Sequence, residues 1–503
     1  MSLILLTLIL YFAVLFTVSY LTGRRADNAG FFTGGRRQSW PVVAFAMIGA
    51  SISGVTFVSV PGMVAVSGFG YLQMVLGFVL GQVVIAFVLT PLYYRMNLIS
   101  IYGYLERRFG RMSYHTGAWF FFLSKMLGAS VRLLLMCVTL QLLVFAPLGL
   151  PFWLTTALTV ALVWLYTFRG GVKTIVWTDS LKTLCLIVSV ALSIGYIARD
   201  LQFSLGGMLA AVADSPMSRV FFMDDVNSKQ FFLKQFLAGA FTMIATNGLD
   251  QDMMQRNLSC RNPRESQKNM MTSILLQLVV ITLFLVLGVL LYLFADSRGL
   301  TVSRGDELFP LVATGGYFPA IVGVLFILGF VSAAHSAAGS ALTALTTSFT
   351  VDILGVEGRS EQAVGRMRRW VHMGMAVLMA LVIIAIHAVN RTSVIDAVYT
   401  LASYTYGPIL GLFAFGILMR QPVRDRGIPV VAIASPLLCL LLQTHSEQWL
   451  GGYQMSYELL IVNALLTFLG LCLLIKRGAS CPTGTSERQE PEASSQQEPE
   501  AHA

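Results

Sequence analysis

Charge is scarce in this chain: Asp, Glu, Lys and Arg supply 12% of its 503 residues, against roughly 25% in a typical soluble domain. That scarcity excludes a solvated surface over most of the length. A hydrophobic content of 56% and a mean hydropathy of +0.73 point the same way, to a polytopic membrane protein. Cysteine is also sparse. Cys137, Cys185, Cys260, Cys439, Cys472 and Cys481 show no CxxC spacing and mostly fall in apolar runs, so neither a disulfide framework nor a metal site is expected. No HExxH, no GxSxG and no carboxylate pair spaced for acid–base work occurs, which argues against an enzyme. No filter-like loop suggests a channel.

What is present is a succession of long apolar runs. Hydropathy marks thirteen: 3–21, 41–66, 71–96, 114–146, 150–168, 175–198, 230–256, 267–295, 319–349, 370–389, 393–419, 428–444 and 455–475. Each can cover a hydrocarbon core of ~30 Å, some only with tilt or an internal break. The first has no basic region before it and is long for a signal peptide, so it counts as a span. The net charge of +9 is no nucleic-acid footprint, because the basic residues gather in alternate loops. Arg24, Arg25, Arg36 and Arg37 are followed by Arg107, Arg108 and Arg111, then Arg256, Arg261 and Arg264, then Arg366, Arg368 and Arg369. The positive-inside rule then places the N-terminus outside and the C-terminus in the cytoplasm, the parity that thirteen spans require. Residues 478–503, rich in Ser, Gln, Glu and Pro, are expected to be a disordered cytoplasmic tail.

Within the second run lies Gly49-Ala50-Ser51-Ile52-Ser53-Gly54. Glycine costs about 1 kcal/mol relative to alanine inside a helix, so two glycines around two serines suggest that the helix comes apart there. Unwound backbone in a membrane survives where it lines a cavity or is buried in protein, and its free carbonyls can hold a cation. A packing seam of small residues is the competing explanation. A second interruption, Ala245-Thr246-Asn247-Gly248-Leu249, sits five spans later. Spans 2–6 and 7–11 (residues 41–198 and 230–419) thus read as two five-span units, each opening on a broken helix. Because five is odd, the units have opposite orientation, as in secondary transporters built from inverted repeats.

Two cations stand in the fourth span. Lys125 and Arg132 are seven residues apart and share a helix face. A cation at mid-membrane costs at least ~2.5 kcal/mol on insertion scales, so each should face a cavity or a partner. Lys125 can snorkel or pair with an acid such as Asp179 or Asp250. Arg132 lies deeper, and its planar fork suits a carboxylate; hydrogen bonds to the carbonyls of a broken helix are the alternative. Asp250 and Asp252 are expected to pair with Arg256. His335 and His387 are expected to be core histidines.

Five motifs in order resemble the sodium:solute symporter family: Gly34-Gly35-Arg36, Gly49 to Gly62, Gly170-Gly171 with Val176-Trp177-Thr178-Asp179, Leu249 to Arg256, and Ser332 to Asp352. The likeness covers most of residues 1–477. It implies an all-α polytopic membrane protein with a leucine-transporter-type 5+5 inverted-repeat core, thirteen transmembrane helices and sodium-driven alternating access. It further implies a sodium site formed by the carbonyls of Gly49, Ile52 and Ala333 and the hydroxyl of Ser336, with Asp179 nearby. Na⁺ is a hard cation that suits such oxygens. Where the family has a second hydroxyl, this chain has Ala337; a water, Ser340 or Thr183 would have to substitute. One sodium per cycle is expected. Family members that carry acidic sugars use an arginine on the helix of Arg132. The resemblance therefore places an organic anion, a carboxylate or an acidic sugar, among Ser53, Thr56, Gln73, Arg132 and Asn247.

The expected function is sodium-coupled symport of a small organic solute through a plasma (inner) membrane, with Na⁺, the solute and the lipid bilayer as partners and no nucleic acid. Proton coupling through Asp179 or His335, and a membrane sensor built on a transporter scaffold, are the competing readings.

Overall fold

A computed structural model describes residues 39–476 apart from 97–100, 168–171, 356–358 and 390–393, together with helical pieces of the first apolar run at 6–7, 9–13 and 16–17. The description excludes the side chains of residues 143, 166, 172–182, 255, 336, 351, 394 and 395.

The described residues are almost wholly helical. In chain order, α1 (Trp40–Ser51) and α2 (Gly54–Gly62) are halves of one broken run. They are followed by α3 (Tyr71–Arg95), the short α4 (Gly103–Arg108), α5 (Arg111–Leu140), α6 (Phe152–Thr167) and α7 (Val172–Asp200). A short helix, α8 (Leu205–Ala213), lies in the connection to a second broken run, α9 (Phe232–Met243) and α10 (Gln251–Asn257). Then come α11 (Pro263–Arg298), α12 (Leu308–Thr314), α13 (Ala320–Ser348), α14 (Glu361–Val389), α15 (Val394–Leu418), α16 (Ile428–Trp449) and α17 (Leu459–Leu473). Among the described residues, eight helices are long and apolar enough to cross a membrane, or nine if α1 and α2 are one span. Phe152–Leu165 and Leu459–Leu473 are shorter apolar helices.

Local chemistry sets the helix limits. Asn262 accepts the Glu265 amide at 2.9 Å, Pro263 opens the first turn of α11, and Gly299 closes it with φ +62°. Helix α14 begins nine residues before the expected 370, since Glu361–Arg369 carry the helix on as a charged extension that hydropathy does not register. Helices α14 and α16 bury little of their surface, and Leu437, Leu438, Leu440 and Leu441 of α16 face outward, as suits lipid. Helices α5, α11 and α15 bury most of theirs. Glycine brings α3 and α9 together: a Cβ on Gly77 would lie 2.0 Å from the Phe236 carbonyl oxygen, and one on Gly239 would lie 2.1 Å from that of Met74. Small residues permit such backbone approach between membrane helices. The second broken run is thereby fixed against α3, beside the interior formed by α1, α2, α5, α13 and α15.

Candidate functional site

The first break falls where the glycines and serines predict. Helices α1 and α2 meet at a bend of 56°, with Ile52 (φ −84°, ψ 100°) and Ser53 (φ −89°, ψ 169°) extended between them. The Ser53 hydroxyl accepts from the Thr56 amide at 3.5 Å and so starts the second half as its N-cap. Among the described residues no backbone amide donates to the carbonyls of Gly49, Ala50, Ser51 or Ile52. Gly54 abuts α13: a Cβ there would lie 3.3 Å from the Phe330 ring and 3.6 Å from its carbonyl oxygen. Ile52 and Ala333 are both buried. The expected sodium-site elements thus adjoin one another at Gly54 and Phe330. The Ser336 and Asp179 side chains, also assigned to that site, lie outside the described residues, as do Gly34-Gly35-Arg36 and Gly170-Gly171.

The second break lies slightly later than the expected 245–249. Helix α9 widens into a π-helical turn, Ile244–Gly248, and the chain leaves helical geometry at Leu249 and Asp250. Asp250 caps α10, its carboxylate accepting the amides of Asp252 and Met253 at 2.9 and 3.2 Å. This side-chain cap starts the second half at Gln251, with two residues separating it from the π-helical turn. The freed carbonyls are also bonded: Tyr93 donates to Gly248 at 3.0 Å and Tyr102 to Leu249 at 2.9 Å.

The two breaks face one cavity of about 140 Å³, which α5, α13 and α15 complete. Ser53, Thr56, Arg132 and Asn247 line it, as expected. Gln73 does not. It lines a larger cavity of about 1040 Å³, and its amide donates to the carbonyls of Gly70 and Gln230 and accepts from the Phe222 amide. A side chain bonded at both ends holds the 219–230 connection in place. Between the cavities, Tyr71 of the larger and Tyr399 of the smaller share a hydrogen bond of 2.7 Å.

Three cations and two carboxylates line the smaller cavity. The Lys125 ammonium donates to both oxygens of Asp250 at 3.0 and 3.1 Å and to Asp252 at 3.2 Å. Arg256 pairs with Asp252 at 3.3 Å. Tyr406 donates to Asp250 and Ser340 to Asp252, each at 2.8 Å. Lys125 is 7% exposed and Asp250 2%, so the pair is buried as well as bonded. Asp250 therefore bonds Lys125, while Asp252 keeps the expected bond to Arg256. Ser340 also bonds Arg256. Its hydroxyl is committed to this network on both its donor and its acceptor side. Arg132 differs from the other cations: it is half-buried in the cavity, and among the described residues no acid or acceptor pairs with its guanidinium. The alternative in which it bonds broken-helix carbonyls therefore has no support among those residues.

Sequence reasoning missed Tyr399, and it read the Tyr404–Tyr406 pair as lining an outer vestibule or as an aromatic belt or core pair, not as a partner of Asp250. No local motif marks either, because both act through partners far away in the chain. The pairing of Lys125 was partly legible, since a lysine in an apolar helix calls for a buried acid. His335 is fully buried, with its Nδ1 3.1 Å from the Val331 carbonyl oxygen, and His387 stacks on Phe152. Neither lines the small cavity.

Comparison with known proteins adds an independent line. The model of the sodium:solute symporter family matches residues 31–427. The human sodium/iodide cotransporter is 24% identical over 414 residues, which cover 80% of this chain and 63% of that protein. Mouse sodium-coupled monocarboxylate transporter 1 is 25% identical over 411 residues, covering 80% and 66%. The chain thus spans just under two thirds of the length of these relatives. A solved structure of a Na⁺-coupled sialic acid symporter, in a substrate-bound outward-open state, superposes with a TM-score of 0.78 at 18% identity, over 94% of this chain and 97% of that one. At that identity the likeness establishes the fold alone.

Proposed function

Because this chain belongs to the sodium:solute symporter family, we propose that it is a sodium-coupled symporter that imports a small organic anion by alternating access. The observation that carries the reading is Arg132, a guanidinium with no counter-charge among the described residues, in a cavity whose other two cations are paired with Asp250 and Asp252. An unpaired cation at such depth is costly, and a bound carboxylate would satisfy its fork with two parallel bonds. Ser53, Thr56 and Asn247 supply polar contacts around it, and the N-terminus of α2, which opens at the cavity, favours negative charge. Gln73 is left out of the site because its amide is already bonded. Iodide, a monocarboxylate and sialic acid, the solutes in the names of the three similar proteins, are all anions.

Sodium binds at the first break, between the free carbonyls of Gly49 and Ile52 and the α13 segment carrying Ala333 and Ser336, with Asp179 in support. The core is a 5+5 inverted repeat of residues 41–198 and 230–419 within thirteen membrane helices, N-terminus outside, C-terminus and residues 478–503 cytoplasmic. The larger cavity is then the external vestibule, and the Tyr71–Tyr399 bond closes it from the solute. Uptake into proteoliposomes of a panel of carboxylates, acidic sugars, neutral sugars and amino acids, with Na⁺ or with choline, tests this reading. Uptake of an anion that requires Na⁺ and fails in Arg132→Gln is expected. Na⁺-driven uptake of a neutral solute, unchanged in that variant, would refute it.

A further inference from the structure

The carboxylates of the small cavity do more than anchor the break. Without Asp250 and Asp252 the cavity would carry three positive charges, from Lys125, Arg132 and Arg256. With them, the described residues that line it carry one, and that one sits on Arg132. Each acid accepts from a full set of donors: two backbone amides, Tyr406 and Lys125 on Asp250, and Ser340, Lys125 and Arg256 on Asp252. We propose that Asp250 and Asp252 set the valence of the transported anion, so that the site accepts monoanions and rejects dianions of the same size. The inference rests on the reading of Arg132 as the anion's partner. Its physical basis is that each carboxylate lowers the positive potential at the anion and repels a dianion about twice as strongly as a monoanion in a poorly solvated space. Co-bound Na⁺ adds the same charge to every variant and cancels from their comparison.

The test measures binding to the full-length protein in nanodiscs, with saturating Na⁺, at a pH where every carboxyl of the ligands is ionised. Succinate and its monoamide form one pair of nearly equal size and unequal charge, malonate and lactate a second; sialate probes a larger monoanion. Relative to wild type, Asp252→Asn should shift the monoanion-to-dianion preference toward dianions by about tenfold or more. Arg256→Gln, which moves the charge the other way, should weaken every anion, and the double variant D252N/R256Q should regain the wild-type preference. That rescue separates charge from folding, and it decides the matter if D252N alone proves unstable. A preference unchanged in D252N, or a double variant that behaves like R256Q, would overturn the proposal while leaving Arg132 as the anion's partner. Monoanion binding that survives Arg132→Gln would instead overturn the reading beneath it.

Discussion

Replacing Lys125 by methionine should cost stability, and replacing Arg132 by glutamine should not. The two cations share one face of α5 and the same cavity, so intuition would treat them alike. Their surroundings separate them. Lys125 makes three bonds of 3.0–3.2 Å to Asp250 and Asp252. Removing one member of a buried ion pair costs about 3–5 kcal/mol, because the partner charge stays behind. Here the residue left behind is well supported: Asp250 keeps two backbone amides and Tyr406, and Asp252 keeps Ser340 and Arg256. The loss should therefore fall at the lower end, about 3 kcal/mol. Arg132 has no such bonds to lose among the described residues, and truncating it should cost no more than ~1 kcal/mol of packing. Thermal unfolding of the purified protein in detergent reads the difference as a Tm several degrees lower for Lys125→Met and almost unchanged for Arg132→Gln. Equal Tm values, or a larger fall for Arg132→Gln, would refute the charge assignment of the cavity.

Two further outcomes follow from the same geometry. Tyr71→Phe removes the 2.7 Å bond to Tyr399, which at about 1 kcal/mol should shift the closed-to-open population by roughly fivefold; a Thr246→Cys probe in the small cavity should then react faster with an external thiol reagent. Ser336→Ala should lower the apparent Na⁺ affinity and Ala337→Ser should raise it, both read from the Na⁺ dependence of uptake.

The fold was largely legible because hydropathy and glycine placement act locally. Gly49 to Gly54 and Ala245 to Leu249 mark both breaks, and long apolar stretches mark helices such as α3, α5 and α11. The site was legible where a local rule applied: an intramembrane arginine must face something, and Arg132 faces the cavity. It was illegible where side-chain commitment depends on remote chain. Gln73 looked available until the loop carrying Phe222 and Gln230 claimed its amide. Ser340 resembled a spare hydroxyl until Asp252 and Arg256, far away in sequence, occupied it. Tyr399 and Tyr406 acquire roles only when α15 packs against the two breaks.

The central claim is that Arg132 holds the anion with its fork, and Arg132→Lys tests it most directly because the charge is kept and only the fork is lost. The measurement is equilibrium binding of the radiolabelled transported anion to purified wild-type and variant protein at saturating Na⁺, with Na⁺ binding followed in parallel. A loss of anion affinity of about tenfold, with Na⁺ affinity and Tm unchanged, is the predicted result. Anion affinity equal to wild type would contradict the account.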